Sequence, residues 1–353
     1  MLADKLRAVG AAGAEPPPPA DPDFVLTIDT TLGSGTTFSF QATDPAGTVD
    51  WGDGTTSTLS TSNSRTYATN GVYEVRISGA ATRVYNFSNS WFVTECTSFG
   101  DLGLTSAFML FRDCKNLVVA PSVLPTSVTT LAWMFENTEN FNFPIGGWDT
   151  SNVVNMSVMF DDAAMFNQPI DLWNTASVTD MSYMFSYSGA FNQDLSAWDT
   201  SSVVDMTSMF DSAEAFNGDI SGWDTSNVAS MFTMFSYNTT FNRPIGSWDT
   251  SNVTTMDSMF FGASAFNQPV GDWNMANVTN TQLMFTYAAA FNQPIGAWDT
   301  ASIVNMDYMF YDAAAFNQNL TGWCVTNITS EPVGFSFGSA LSPSNKPIWG
   351  TCP

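Results

Sequence analysis

Tryptophan recurs every 25 residues through the second half of this chain. Trp148, Trp173, Trp198, Trp223, Trp248, Trp273, Trp298 and Trp323 follow one another without an insertion or deletion. A fixed period of this size marks stacked units, none of which can bury its apolar face alone. The wording around each Trp is nearly constant. Residues 141–165 read FNFPIGGWDTSNVVNMSVMFDDAAM, and the next unit opens FNQPIDLWNTASVTDMSYMF at Phe166.

Counting from each Trp, apolar residues fall at +5, +8, +11, +12 and +15. In the first unit these are Val153, Met156, Met159, Phe160 and Ala163. Those spacings predict one face of a short helix, with Asp149, Thr150 and Ser151 as its N-terminal cap. A strand would scatter them over both faces. Before the Trp, Phe141 and Ile145 lie four apart, on one side of a short strand or extended turn. One extended segment and one short helix per unit predict an α+β solenoid with about 4.8 Å between coils, roughly 40 Å for eight coils. The Asn after each Phe, from Asn142 to Asn317, is expected to hydrogen-bond turn backbone or the next coil's Asn as a buried amide. The Trp, Phe and Met columns read as core.

Ahead of the repeats the character changes. FVLTIDT, TTFSFQAT, TVDWGDGT and GVYEVRISG are short alternating runs separated by Gly, Asp and Asn turns. They predict a small antiparallel β-sandwich over residues 22–80. Residues 81–133 are transitional: LFRDCKNL at 110–117 mirrors MFENTENF at 134–141 with a spacing of 24, as in an irregular N-terminal cap. Regular repeats then occupy 134–323, and 324–353 form a C-terminal cap. Residues 1–21 are a short peptide followed by a linker stiffened by Pro16, Pro17, Pro18 and Pro19.

Two resemblances follow from these motifs. FNxxI, WDTSNV and the M-x-x-MF run resemble the BspA-like surface-protein repeat, often called DUF285, over roughly residues 90–353. The resemblance implies a solenoid related to leucine-rich repeats, displayed on cell surfaces or virus particles, with adhesion or recognition as its role and no catalytic residues. WCVTNITS and Lys346–Pro353 resemble that family's terminal cap. The turn Val49–Gly54 (VDWGDG) and the segment Tyr67–Tyr73 (YATNGVY) resemble a PKD-type immunoglobulin-like domain, which implies a spacer. Asp50 and Asp53 read as turn residues, with a cation site as the alternative.

Composition narrows the chemistry. The formal net charge is −24 with nine Lys plus Arg, so the basic footprint that nucleic acid needs is missing. An anionic membrane surface is disfavoured for the same reason, and no apolar run approaches a membrane span. A cationic ligand or divalent cation is compatible with the charge, as is simple solubility. Histidine is absent, which removes Ser-His and Cys-His catalysis, and the four Cys lack zinc-site spacing. No phosphate-binding loop or dinucleotide fingerprint is present. No enzyme activity, metal or cofactor is expected. Cys324 and Cys352 bracket the final segment and are expected to pair where the compartment oxidises, closing a loop worth about 3 kcal/mol. Cys96 and Cys114 remain open between pairing and simple burial.

Function is therefore sought where the repeats differ. Helix geometry turns positions +10, +13 and +14 outward. They carry Tyr183, Tyr187, Tyr237, Phe261, Tyr287, Tyr308 and Tyr311 among Ser, Thr and Asp. Such a row suits a host-surface glycan or protein. Leu2, Leu6 and Val9, with Lys5 and Arg7 between them, read as a peptide that anchors the chain to other virion proteins. The start lacks the apolar core of an export signal. The expectation is a phage virion appendage, as fibre or decoration on the virion surface, with self-association as a further option. The alternatives are a bacterial cell-surface adhesin and a structural decoration protein without a receptor.

Overall fold

The computed structural model describes residues 21–353. The anchoring residues Leu2, Lys5, Leu6, Arg7 and Val9 lie outside that range.

Eight antiparallel strands form the first unit: β1 Phe24–Asp29, β2 Thr37–Thr43, β3 Ala46–Asp50, β4 Thr56–Thr58, β5 Ser62–Thr66, β6 Val72–Ala80, β7 Arg83–Ser88 and β8 Val93–Phe99. They make a five-stranded sheet, β4-β3-β6-β1-β8, and a three-stranded sheet, β5-β2-β7. Alternation sends Phe38, Phe40 and Ala42 of β2 inward. Trp51 is buried, and its Nε1 donates to Ser57 Oγ at 3.0 Å. The Tyr67 hydroxyl donates to the Trp51 carbonyl at 2.9 Å, and its ring stacks on Tyr73 at 4.0 Å. The unit does not stop at residue 80. β7 and β8 complete its two sheets, so the cap expected to begin at 81 begins after Phe99.

The sandwich closes the solenoid at its N-terminal end. On one side β8 extends into the first coil, where Cys96 N donates to Val119 O at 3.0 Å and Val118 N to Thr94 O at 2.9 Å. On the other, Thr105 N donates to Thr82 O at 3.0 Å. Phe111 then packs 6.4 Å from Phe87 of the small sheet and 6.4 Å from Phe99 of the large one. One hydrophobic core runs from the sandwich through the coils to the C-terminus.

The helix expected in each coil is not there. Among the described residues there is no α-helix; helical structure is confined to three single-turn 3-10 segments, Thr30–Leu32, Ser90–Phe92 and Pro343–Asn345. Each coil is a succession of tight turns. In the first unit Met159 N bonds to Met156 O and Ala163 N to Phe160 O. The third residue of each turn, Val158 and Asp162, has φ of 59° and 54°, the left-handed value a type II turn requires. The same two positions, +10 and +14, are left-handed in every regular coil, as at Tyr183, Tyr187, Thr233 and Tyr237. An α-helix cannot contain such residues.

The backbone amides instead point along the stack. Those of Met156, Val158, Phe160 and Asp162 donate to Asp180, Ser182, Met184 and Ser186 of the next coil at 2.8–3.0 Å. Parallel bridges run Thr130–Asn155–Asp180–Asp205–Ser230–Thr255–Asn280–Asn305. Type II turns bring residues i and i+3 to the same side, so the apolar spacing that reads as a helix is met by turns as well. The core assignments themselves stand: Val153, Met156, Met159, Phe160 and Ala163 are all buried.

Equivalent rings measure how far each coil is displaced from the next. Phe160, Phe185 and Phe210 follow at 5.6 and 5.7 Å, whereas Trp173, Trp198 and Trp223 follow at 6.4 Å. The hydrogen-bonded ladder holds about 4.8 Å. Coils therefore splay toward the Trp side, and the ladder lies on the inner side of the bend.

Three side-chain columns fix the stack. Each Trp Nε1 donates to a carbonyl of the preceding coil, as Trp173 to Ile145 at 3.1 Å and Trp198 to Ile170 at 3.0 Å. The buried Thr at +2 donates forward, as Thr150 to Asn174 O at 2.9 Å. The Asn column is part-exposed to exposed rather than buried. Its Oδ1 accepts the amide of the next Asn, as from Asn167 to Asn142 at 3.0 Å, and continues to Ser342 N on Asn317. Asp149, Asp199, Asp224 and Asp249 cap turns, not helices: each Oδ1 accepts the amide two residues on.

The far end is a built cap. Phe335 sits edge-on to Phe310 at 5.4 Å, and Trp349 covers it edge-on at 5.0 Å. Cys324 and Cys352 are joined by a disulfide. Cys96 and Cys114 are free and buried, and burial pushes both thiols up.

Candidate functional site

Positions +13 and +14, which vary between coils, stand where the ladder ends. Coils alternate there in a strict way. Ser186/Tyr187, Ser236/Tyr237 and Thr286/Tyr287 place a small hydroxyl at +13 and a tyrosine at +14. The coil after each of these carries Asp211/Ser212, Phe261/Gly262 or Tyr311/Asp312, with the larger group at +13. The pattern is a two-coil period within the one-coil repeat.

Sterics explain it. The left-handed backbone at +14 aims the tyrosine outward, with φ of 54°, 53° and 59° at Tyr187, Tyr237 and Tyr287. Ser186, Ser236 and Thr286 are buried beside them. Helix geometry would have exposed +13 and +10 in every coil; Val158 and Ser208 at +10 are buried too. The ring at +13 of one coil fits between the tyrosines of its two neighbours. Gly262 makes room for this, since a Cβ there would lie 3.1 Å from the Tyr237 ring.

The result is a continuous aromatic strip over five consecutive coils. Tyr237 meets Phe261 edge-to-face at 4.9 Å, Phe261 meets Tyr287 at 5.7 Å, and Tyr287 meets Tyr311 at 5.7 Å. Tyr308 packs on Tyr311 at 5.8 Å, and Phe337 stacks on Tyr311 at 5.4 Å. Tyr187, Tyr237, Tyr287 and Phe337 stay 58, 52, 47 and 68% exposed. Phe261, Tyr308 and Tyr311 are half-buried wedges that hold them apart. Tyr183 is exposed and makes no aromatic contact. Phe337 escapes sequence reasoning because Gly334 and Gly338 of the cap take the left-handed turns one residue out of step with the period. The available signal was an aromatic residue 50 positions after Tyr287.

Toward the N-terminus the same edge turns acidic. Asp161 and Asp211 occupy +13, where the hydroxyls of the next coil, Ser186 and Ser236, favour the charged carboxylate and oppose the effect of burial. Burial pushes the Asp161 carboxyl up to about 6, with the charges of Asp162 and Asp211 adding to it. One oxygen of Asp161 is buried without a hydrogen-bond partner. Asp211 is raised for the same main reason.

A crevice lies where sandwich and solenoid meet, lined by Arg83, Tyr85, Met109 and Arg112 among others. Both cations are already engaged. Arg83 lies over Tyr85 and Phe108 at 3.7 and 4.6 Å, and Arg112 pairs with Glu136 beneath Trp133. Among the described residues no group of three or more Cys, Asp or Glu is placed to hold a metal ion, and no helix is long and apolar enough to cross a membrane. Asp53 is held by Arg65 at 2.6 Å and by Thr55, which uses its oxygens within the turn.

Residues 105–221, 173–250 and 230–345 match a family described as Mycoplasma protein of unknown function, DUF285. The matches together take in more than half of the chain. This chain belongs to that family. Every coil carrying the aromatic strip lies wholly or largely within the DUF285 region; only the cap after residue 345 falls beyond it. Comparison with curated proteins and with solved structures returned no match.

Proposed function

We propose that this chain is a non-enzymatic recognition protein displayed on a surface. The observation that carries the reading is the strip from Tyr237 to Phe337. It is an exposed aromatic edge held at fixed spacing on a stack whose every coil is hydrogen-bonded to the next. Isolated surface aromatics need no explanation, but a contiguous row marks an interaction site. All five rings from Tyr237 to Phe337 pack against a neighbour in the strip, so binding would not have to order them.

The setting we propose is a virion appendage, with a bacterial cell surface as the alternative. Its support is the sequence of the N-terminal peptide, with Leu2, Leu6 and Val9 at helical spacing before four prolines. The β-unit serves as a spacer of PKD-like type. Supporting that reading, Asp50 accepts the Gly52 amide in the WGDG turn at 2.9 Å, and Tyr67 bonds back to Trp51.

The recognition role is tested by the triple variant Tyr237→Ser, Tyr287→Ser, Phe337→Ser against a panel of intact bacterial cells. Attachment that survives in a variant with unchanged thermal unfolding removes the role. The setting is tested separately: a chain lacking residues 1–21 should no longer join the particle, and one that still joins refutes the anchor.

A further inference from the structure

The tyrosines at +14 have a spacing that the aromatic row alone does not require. Tyr187, Tyr237 and Tyr287 recur every second coil, which is about 10 Å at the ladder. The steps between them are filled by Asp211 with Ser212, and by Phe261 with Gly262. Each tyrosine is near half exposed, while the wedge Phe261 is half-buried. The outward rings thus form a ruler rather than a patch. Alternate residues of an extended, equatorially linked pyranose chain are separated by a comparable distance, and the apolar face of a pyranose stacks on an aromatic ring. Asp211 and Ser212, half-buried and hydrogen-bonded to each other at 3.3 Å, occupy the step between Tyr187 and Tyr237, where sugar hydroxyls would need partners.

Charge narrows the ligand further. The edge carries Asp161, Asp162, Asp211 and Asp312, and the chain as a whole carries −24. An anionic polymer laid along this edge would meet like charge at Asp211 and, at the two ends, at Asp161, Asp162 and Asp312. A compact ligand is also a poor fit, because the strip is convex rings on an open edge and not a concave pocket.

Building on the recognition reading above, we infer that the edge from Tyr187 to Tyr287 binds an extended, uncharged β-1,4-linked polysaccharide, one ring to every second sugar. The experiment is calorimetric titration of the full chain with cellohexaose and with the hexamer of N-acetylglucosamine. Isomaltohexaose serves as the geometry control, and α-1,4-linked hexagalacturonate as a control that departs in both linkage and charge. At least one β-1,4 hexamer should bind, and its trimer should bind more weakly because it cannot reach three rings. Tyr237→Ser or Tyr287→Ser should each weaken the hexamer about two- to tenfold. Tyr237→Phe should retain most of the binding.

Absence of binding by both β-1,4 hexamers overturns the inference. So does equal binding of isomaltohexaose or hexagalacturonate, or a double Tyr→Ser variant that binds as well as the parent. Concentration-dependent self-association abolished by the same two substitutions would assign the strip to a second copy of this chain and overturn it too. If no hexamer binds while the strip variants still lose attachment to cells, the glycan inference falls and the recognition role stands.

Discussion

The indole Nε1 of Trp248 donates to the carbonyl oxygen of Ile220 at 3.2 Å, across the boundary between two coils. Both groups are buried, and the same bond recurs from Trp148 to Trp323. The Trp column is therefore a hydrogen-bonded seam as well as an apolar stack. Trp248→Phe keeps a ring in the core but leaves the Ile220 carbonyl without its partner and opens a small void. The expected cost is about 2–4 kcal/mol, from the orphaned group and the lost volume. Denaturant unfolding measures it; a cost below that of an exposed Tyr187→Phe control would contradict the seam.

The Asn column predicts a chemical rather than a steric requirement. Asn192 Oδ1 accepts the Asn217 amide at 2.9 Å, and Gly218 leaves no Gln side chain to share it. Asn192→Ala should cost about 1 kcal/mol, because exposure lets water replace part of the bond. Asn192→Asp keeps an acceptor oxygen and should cost less than Ala. The two midpoints in urea decide it, and an Asp variant weaker than the Ala variant would sink the acceptor role.

Stability should fall as pH rises through the Asp161 transition. The folded carboxyl titrates near 6, above the ordinary 3.8, so the native state holds a proton that the unfolded chain has released. In that window the unfolded state binds fewer protons, and the slope of stability with pH is negative. Because the group is partly solvated, the loss between about pH 4 and 7 should be on the order of 1–2 kcal/mol. Asp161→Asn should flatten it. Asp149, Asp199, Asp219, Asp224 and Asp249 act in the opposite sense. Serine hydroxyls and amides hold them low, so their contribution is lost only at more acid pH. Melting temperatures from pH 3 to 8 for parent and variant test both limbs.

The Cys324–Cys352 bond ties the last coil to the tail that covers it. Val325 N donates to Thr351 O at 2.8 Å inside the same loop. Reduction, or Cys352→Ser, should cost about 3–4 kcal/mol by loop-closure entropy, felt first in the cap. Hydrogen exchange should rise at Phe335 and Phe337 before it rises at Trp198. Uniform loss of protection along the stack would show that the cap does not unfold locally.

Residues 141–165 made most of the stack legible. Columns that repeat every 25 residues must face their own copies, so Trp, Phe, Met and Asn could be assigned to the interior or to the seam before any fold was drawn. The helix was misread for a physical reason. Spacings of three and four are shared by helices and by runs of type II turns, and what separates them is the sign of φ at Val158 and Asp162. Nothing in Val or Tyr announces a left-handed residue. Gly262 hints at it, as do Asp162 and Asp312 more weakly, because Gly and Asp tolerate that region better than other residues.

The candidate site was half legible for a related reason. Tyr237, Phe261, Tyr287 and Tyr311 are visible as variation within a constant repeat. Whether each is ring or wedge depends on the coil on either side, which a per-residue reading does not see.

By itself, then, the sequence determined the stacking period, the composition of each core column and the absence of a basic footprint, since all three are properties of residue type at fixed separation. The tertiary structure alone decided that amides bond to neighbours about 24 residues away and not four. It decided that β7 and β8 finish the sandwich and seat it on Phe111, and that the outward edge alternates tyrosine and wedge. Those outcomes rest on contacts between coils, where backbone direction and neighbouring bulk act together.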